Sequence, residues 1–384
     1  MRDLARATLC VIAACALAAG CGAEKEPKST AAPPAKPSTT APVVFAAPGT
    51  VLAMRCYQLE WQLPPTLLLQ AISVNDGKIT SQTSVQLPEN AKGTEWCRGR
   101  YAGPLVRQLF DRDFRHLAVT MADPATGGRR VMALRLADGA VVPQLPQATD
   151  DFSSATNETD PFFHPATGEL WFRDEETKQL KSRDLKNGQT TIRHTFRESS
   201  SGVAVPHSSG FWLTRWTQAD STLVSPDGQR AIEGDFNGRY LALRDQPQAE
   251  WRSLDGSVVR EELSGPVVPC TYPALWLSSH TLLCAYDGGG QFSTMTFSDN
   301  GKRVTESKPA ILPHTDRRNY APVASPDGEK IAFVSTQGTQ VALFEVPLNG
   351  PAEPRKIADL PPPPGMKSDQ AALIVPDPVL LGWN

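Results

Sequence analysis

The chain has 384 residues, 40% of them hydrophobic, 21% charged and 7% aromatic, with a formal net charge of -3 and a sequence pI near 6.1. That length suffices for two ordinary domains or one large repeat fold, and the mild acidity excludes the basic footprint that nucleic-acid binding requires. The 28 Gly and 34 Pro tilt the composition towards turns.

Residues 1–20, MRDLARATLCVIAACALAAG, carry Arg2 and Arg6 and then an apolar run from Ala7 to Ala19. The run is too short to span a bilayer comfortably and reads as an export signal. It ends in Leu17-Ala18-Ala19-Gly20-Cys21, which resembles a bacterial lipoprotein box, in which a cysteine after small residues is lipidated and becomes the mature N-terminus. That motif usually has a larger aliphatic residue where Ala18 stands. Ile12-Ala13-Ala14-Cys15 fits it locally, but cleavage there would leave an apolar head, whereas polar residues follow Cys21 at once. The expected anchor is therefore lipid on Cys21, carrying several acyl chains, since one chain alone binds a membrane only marginally. Residues 21–47 are rich in Ala, Pro, Ser and Thr, cannot bury a core, and are expected to be a disordered tether.

Four cysteines remain beyond the signal and the lipid candidate: Cys56, Cys97, Cys270 and Cys284. An exported chain reaches a disulfide-permissive compartment, and four cysteines allow three connectivities. Sequence proximity favours Cys56 with Cys97 and Cys270 with Cys284. The spacing Cys-x-x-Cys of a metal site does not occur.

From residue 48 to 384 one phrase recurs: a turn, an apolar strand, a second turn, another apolar strand and a closing glycine. Leu67–Leu69 leads to Asp76-Gly77; Phe114–Val119 and Val131–Leu134 lead to Asp138-Gly139; Gly168–Asp174 leads to Asn187-Gly188. Further copies are Gly210–Leu213 with Ser225–Gly228, Asn237–Arg244 with Asp255-Gly256, and Leu282–Ala285 with Asn300-Gly301. The fullest is SPDGEKIAFVSTQGTQVALFEVPLNG, Ser325–Gly350. Pro pre-sets φ, Asp bonds its own backbone and Gly accepts positive φ, so the polar letters make turns. Apolar residues on both pleat faces require sheets stacked against neighbours. Most steps between closing glycines fit a four-stranded unit of roughly 40–50 residues, the period of a β-propeller blade. The step from Gly228 to Gly256 is too short. Seven blades are expected, with six as the alternative. Ala371–Val375 and Val379–Trp383 read as strands that close the ring on the first blade.

The Ser-Pro-Asp-Gly phrase resembles the PD40 repeat of TolB-like β-propellers, best over 325–350 and well over 160–188 and 236–256. The resemblance implies a periplasmic or surface-attached binding platform and transfers no active site. Proteins of that family carry a small α/β domain before the propeller, and residues 22–47 leave no room for one.

Few residues invite chemistry. The six histidines, His116, His164, His194, His207, His280 and His314, are scattered, and none stands at zincin spacing. Asp287-Gly288-Gly289-Gly290 lacks the Lys and helix of a phosphate loop. His207-Ser208-Ser209-Gly210 lacks the first Gly of a nucleophile elbow, and Ser298-Asp299-Asn300 lacks its partner motifs. Asp111-Arg112-Asp113 offers two carboxylates for calcium or glycosidase work and reads more simply as a solvated turn. The tryptophans, among them Trp171, Trp212, Trp216, Trp251 and Trp276, are expected mostly at blade interfaces.

The expected protein is all-β: a lipid-anchored, extracytoplasmic, monomeric propeller that is not an enzyme and needs no cofactor. It binds an envelope protein, a peptide or an envelope polymer, with no nucleic acid involved. A propeller-type glycan hydrolase or lyase, acting at the channel mouth, is the alternative.

Overall fold

The computed structural model describes residues 45–57, 64–92, 106–123, 126–143, 157–164, 167–195, 220–227, 272–285, 290–299, 303–349, 353–362 and 378–384. Residue 270 and the shorter pieces 205–206, 212–213, 230–235, 241–245, 252–253 and 265–266 are also described. All of them belong to one compact unit, Pro42–Asn384.

The fold is all-β and propeller-like, built of four-stranded antiparallel sheets. Blade I pairs β1 (Thr50–Tyr57), β2 (Thr66–Ser73) and β3 (Ile79–Gln86), and blade II comprises β4 (Ala91–Lys92), β5 (His116–Ala122), β6 (Arg129–Arg135) and β7 (Val141–Val142). Blade III comprises β8 (Glu158–Phe163), β9 (Leu170–Asp174), β10 (Gln179–Arg183) and β11 (Thr190–Thr195). Next come a two-stranded ladder, β12 (Val205–Pro206) with β13 (Trp212–Leu213), and a four-stranded ladder of β14 (Asp220–Val224), β15 (Arg230–Asp235), β16 (Leu241–Asp245) and β17 (Arg252–Ser253). Blade IV comprises β18 (Tyr272–Trp276), β19 (Thr281–Ala285), β20 (Phe292–Phe297) and β21 (Val304–Lys308). Blade V comprises β22 (Arg318–Ala324), β23 (Lys330–Gln337), β24 (Gln340–Pro347) and β25 (Arg355–Asp359). Finally β26 (Val379–Trp383) returns to pair with β1, completing blade I as its first strand.

The blade count corrects the sequence reading. Among the described residues, five blades have strands, register and packing all defined, in place of the seven expected and the six of the alternative. In the β14–β17 ladder the pairing is defined, but few of its side chains lie among the described residues. The physical reason for the overcount is that the glycines mark two kinds of turn. Gly77, Gly139 and Gly188, with φ of 70°, 72° and 75°, all sit between the third and fourth strands of their blades. Gly301 and Gly350, themselves outside the described residues, fall at the same place in blades IV and V. Gly228 instead falls between the first and second strands of its ladder, and Gly256 follows the fourth. Only five of the seven glycines therefore count blades.

The first strands carry a second regularity. In β8 and β22 the pairing slips by a bulge at Asp160-Pro161 and Ala321-Pro322, where Asp160 and Ala321 have φ of 52° and 49°. Pro273 lies at the corresponding slip in β18. Proline has no N–H to give a ladder, so in a sheet it belongs on an edge strand at a bulge, and the first strand of a blade is such an edge.

One continuous core runs through blades I, II, III and V, with Leu52, Leu67, Leu69, Phe110, Leu134, Leu170, Phe172, Val334 and Leu343 all essentially inaccessible. Phe45, 2% exposed, already belongs to it, and Asn384 donates from Nδ2 to its carbonyl. Burial of such residues at about 25 cal/mol per Å² is the main stabilising term. Blade IV adds two smaller clusters, one around Phe292 and Phe333 towards blade V and one around Trp276 and Phe297 towards Leu223 and Ile232.

Arginines fasten blade to blade. Arg183 and Glu158 form a buried ion pair at 2.7 Å. Together they grip Val131 of blade II, Glu158 accepting from its N–H at 2.7 Å and Arg183 donating to its carbonyl. Arg355 donates to Val74 O at 2.7 Å, joining blades V and I. Arg230 reaches from β15 into blade IV, donating to Ser279 O at 2.6 Å and Asp299 O at 2.5 Å.

Candidate functional site

Three of the residues the sequence offers for chemistry, Asp111, His116 and His164, sit in one repeated turn. In Ser325–Lys330 the Ser325 N–H donates to Lys330 O at 2.9 Å, the Lys330 N–H donates to Ser325 Oγ at 3.0 Å, and Asp327 accepts from the Ser325 hydroxyl and the Glu329 N–H. Ser225–Arg230 repeats this pattern. In blade III His164 takes the place of the serine: its N–H donates to Glu169 O at 2.9 Å and its Nδ1 accepts from the Thr167 N–H at 3.2 Å. In blade II Asp111 takes it, with its N–H donating to His116 O and its Oδ1 accepting from the N–H groups of Arg115 and His116 at 2.6 and 3.0 Å. All four turns span six residues and join a first strand to a second. The polar residue that leads each turn satisfies backbone donors that would otherwise be orphaned.

Blade II departs from the others in the length of this connection, because β4 ends at Lys92 and β5 begins at His116. Residues 106–115 use that length to pack against neighbouring first strands. Phe163 N, at the end of β8, donates to Gln108 O at 2.8 Å, and the Phe114 ring lies 3.7 Å from where a Cβ on Gly382 of β26 would stand. Val106, Leu109, Phe110 and Phe114 are buried. The Arg107 guanidinium lies 4.1 Å from the centroid of the Phe114 ring and donates to the carbonyls of Phe110 and Asp111. Burial pulls its pKa down to about 10, with Asp111 opposing, so it stays cationic at neutral pH.

This segment is thus a packed pad across one end of the first strands of blades I and III. Arg112, Asp113 and Arg115 crown it, exposed to solvent. The two carboxylates of Asp111-Arg112-Asp113 do not act together: Asp111 is committed to the turn and to His116 Nδ1 at 2.8 Å, while Asp113 faces water with Arg115 at 4.0 Å.

The other sequence candidates fall as follows. Cys270 and Cys284 form a disulfide with Cα atoms 5.2 Å apart. Cys56 is also disulfide-bonded, and Cys97 lies outside the described residues, as do Cys21, His207, Ser208–Gly210 and Asp287–Gly289. His280 meets Arg230, and His314 is exposed. Trp171 packs inside blade III between Phe162 and His164, at centroid distances of 6.0 and 4.4 Å. Trp276 donates from Nε1 to Leu223 O at 3.1 Å, across a sheet boundary. The side chains of Trp212, Trp216 and Trp251 lie outside the described residues. Among the described residues no group of three from His, Cys, Asp and Glu could hold a metal ion.

Turn aspartates are held ionised. Hydrogen bonds from Ser73 and Lys78 bring Asp76 to about 2, the Ser325 hydroxyl lowers Asp327, and Arg135 lowers Asp138. Burial pushes Asp174 upward, but bonds from Lys181 and Thr177 outweigh it and the net shift is down. Such carboxylates are acceptors in the neutral range and have no proton to give.

No family model and no curated relative matches the chain. Similar solved structures include TolB from Acinetobacter baumannii, at 13% identity over 80% of this chain and 68% of that one, with a TM-score of 0.32. An oligogalacturonate lyase in complex with manganese aligns at 12% identity over 82% and 75%, with a TM-score of 0.39. The Pseudomonas aeruginosa periplasmic gluconolactonase PpgL aligns at 13% identity over 81% and 82%, with a TM-score of 0.38.

Proposed function

We propose that the chain is an exported, lipid-anchored propeller, monomeric and held on the outer face of an envelope membrane by Cys21, that binds an envelope protein, peptide or polymer without chemical turnover. One observation carries the non-enzymatic reading. Asp111, a carboxylate set apart in sequence as a candidate for catalysis, is spent in the same six-residue turn that Ser225 and Ser325 make elsewhere. The packed pad of residues 106–115 and its exposed Arg112, Asp113 and Arg115 form the contact surface. Rigid support lowers the entropy lost on binding.

The test has two arms. Cys21→Ala abolishes incorporation of labelled fatty acid, and unchanged labelling overturns the anchor. Partners recovered by cross-linking the lipidated protein in its own envelope are lost or reduced tenfold with Arg112→Glu/Arg115→Glu, and equal recovery overturns the surface.

A second reading rests on His116, whose Nδ1 is held by Asp111 at 2.8 Å and whose side chain is partly exposed. A glycan hydrolase or lyase would use the free edge of that ring as a general base. Turnover of a polysaccharide by the wild-type chain, abolished in His116→Ala, would establish it in place of the binding reading.

A further inference from the structure

The outer edges of the blades are not alike. Each four-stranded sheet ends on its last strand: β3, β7, β11, β17, β21 or β25. A free edge offers unpaired N–H and C=O groups to any other strand, and proteins blunt it with charges, short strands or bulges. β7 and β17 have two residues each. β11 carries Arg193, β21 carries Glu306 and Lys308, and β25 carries Arg355, Lys356 and Asp359. β3 has eight residues, ITSQTSVQ, and no charge. Its one bulge, opposite Ala71-Ile72, has counterparts in the other long outer strands and lies near its start, before Gln82.

The register shows which groups are left over. The Leu87 N–H donates to Pro65 O at 2.8 Å, and bonded pairs alternate with non-bonded ones along an antiparallel ladder. Leu67–Val85 and Leu69–Thr83 are therefore bonded pairs, and Gln82, Ser84 and Gln86 turn their N–H and C=O groups away from β2. Among the described residues no backbone group meets them there. The side chains of these three are exposed, whereas Thr83 is half-buried and Val85 buried. Ile79, 49% exposed, adds an apolar contact at the head of the strand.

We propose that this edge takes an extended polypeptide segment of a partner protein as a fifth strand of blade I. A row of alternating donors and acceptors at two-residue steps is matched by another main chain, and not by the hydroxyls of a glycan. β3 has no charge to pair, so the segment carries none opposite it: neutral polar side chains lie beside Gln82, Ser84 and Gln86, and small or apolar ones beside Thr83 and Val85. The proposal rests on the binding reading above, at a surface other than the pad.

Photo-reactive residues placed one at a time at positions 82, 84 and 86, with position 306 of β21 as control, test this in the full lipidated chain in its own envelope. Cross-links are expected on one partner segment at steps of two residues, with none from position 306. Links to a glycan, to a second copy of this chain or to scattered partner residues overturn the proposal, as do equal links from position 306 or none at all. Ser84→Pro removes one outward donor and leaves the ladder to β2 intact. The partner carbonyl left without a donor lowers cross-linking from position 82 about tenfold, and undiminished linking overturns the main-chain pairing. Should Ser84→Pro not fold, Gln82→Lys/Gln86→Lys is read from position 84, with the same loss expected and the same result overturning. Arg112→Glu/Arg115→Glu, run alongside, separates the two surfaces: partners lost there with no links at β3 remove the strand site and leave the binding reading standing.

Discussion

Two joints of the ring use a buried arginine in different ways. Between blades II and III, Arg183 carries its own counter-charge, since Glu158 from the same blade binds it through both oxygens and the pair then grips Val131. Between the β14–β17 ladder and blade IV, Arg230 reaches across to the next sheet itself, donating to the carbonyls of Ser279 and Asp299 and meeting His280 Nδ1. The first joint lies beside the continuous core of blades I to III. The second lies beside a small cluster centred on Trp276 and Phe297. A joint can therefore be fastened through a carboxylate that holds both the arginine and the neighbouring strand, or by an arginine that clasps the turns of the next blade directly.

The largest effect is expected at the neutralised joint. Glu158→Ala leaves Arg183 buried without a counter-charge and the Val131 N–H without an acceptor, and should cost about 3–5 kcal/mol in urea unfolding at neutral pH. A cost below about 1 kcal/mol would mean that the ion pair does not hold this joint. Next is the covalent support of the weaker side. Replacing Cys270 and Cys284 by Ser opens a crosslink of sequence separation 14, and should cost about 3 kcal/mol. An unchanged denaturation midpoint would mean that blade IV needs no staple.

A smaller loss is expected where blades V and I meet. Gly77 has a φ of 70°, and a Cβ there would stand 2.2 Å from Ile357 O, so Gly77→Ala should cost about 1–3 kcal/mol through strain and displaced backbone. Gly168→Ala, also at positive φ but with nothing within 4 Å, is its control and should cost less. The smallest effect is electrostatic and common to the turns of both regions. Asp327 is lowered by the Ser325 hydroxyl, so its contribution is present above the ordinary aspartate range, near about pH 3.9, and is lost as pH falls through its lower folded value. Asp327→Asn should be less stable than wild type at pH 6, with the gap closing towards pH 2. A gap that widens on acidification would reverse the assigned sign.

The strands and turns were legible because their signals are local. Ile331–Val334 and Val341–Phe344 fall inside β23 and β24, and the closing strand Val379–Trp383 coincides with β26. The blade count was not legible, because Asp227-Gly228 looks like Asn187-Gly188 in sequence, while position 228 falls between a first and a second strand and 188 between a third and a fourth. Blade phase carries a better marker that the reading passed over. Asp160-Pro161 and Ala321-Pro322 each stand three residues before a turn leader, His164 or Ser325, and each places the proline bulge of a first strand. The turn leaders themselves were hidden by chemistry. Asp111, His164 and Ser325 share no letter, and only the bonds they accept show them to be equivalent. Within the pad of residues 106–115 only Asp111-Arg112-Asp113 stood out, as a solvated turn, since nothing in Val106–Phe114 says which neighbouring strand it will touch.

Ring closure has a kinetic side. Asn384 Nδ2 bonds to Phe45 O across 339 positions of sequence, and β26 pairs with β1 over a comparable distance. Contacts so remote contribute nothing until the intervening sheets have condensed, because the entropy of closing the loop comes first. Until then blade I exposes the bare edge of β1, a template for pairing with any other unfinished chain. The seam that protects the finished ring is therefore the window in which an unfinished one is most open to misassembly.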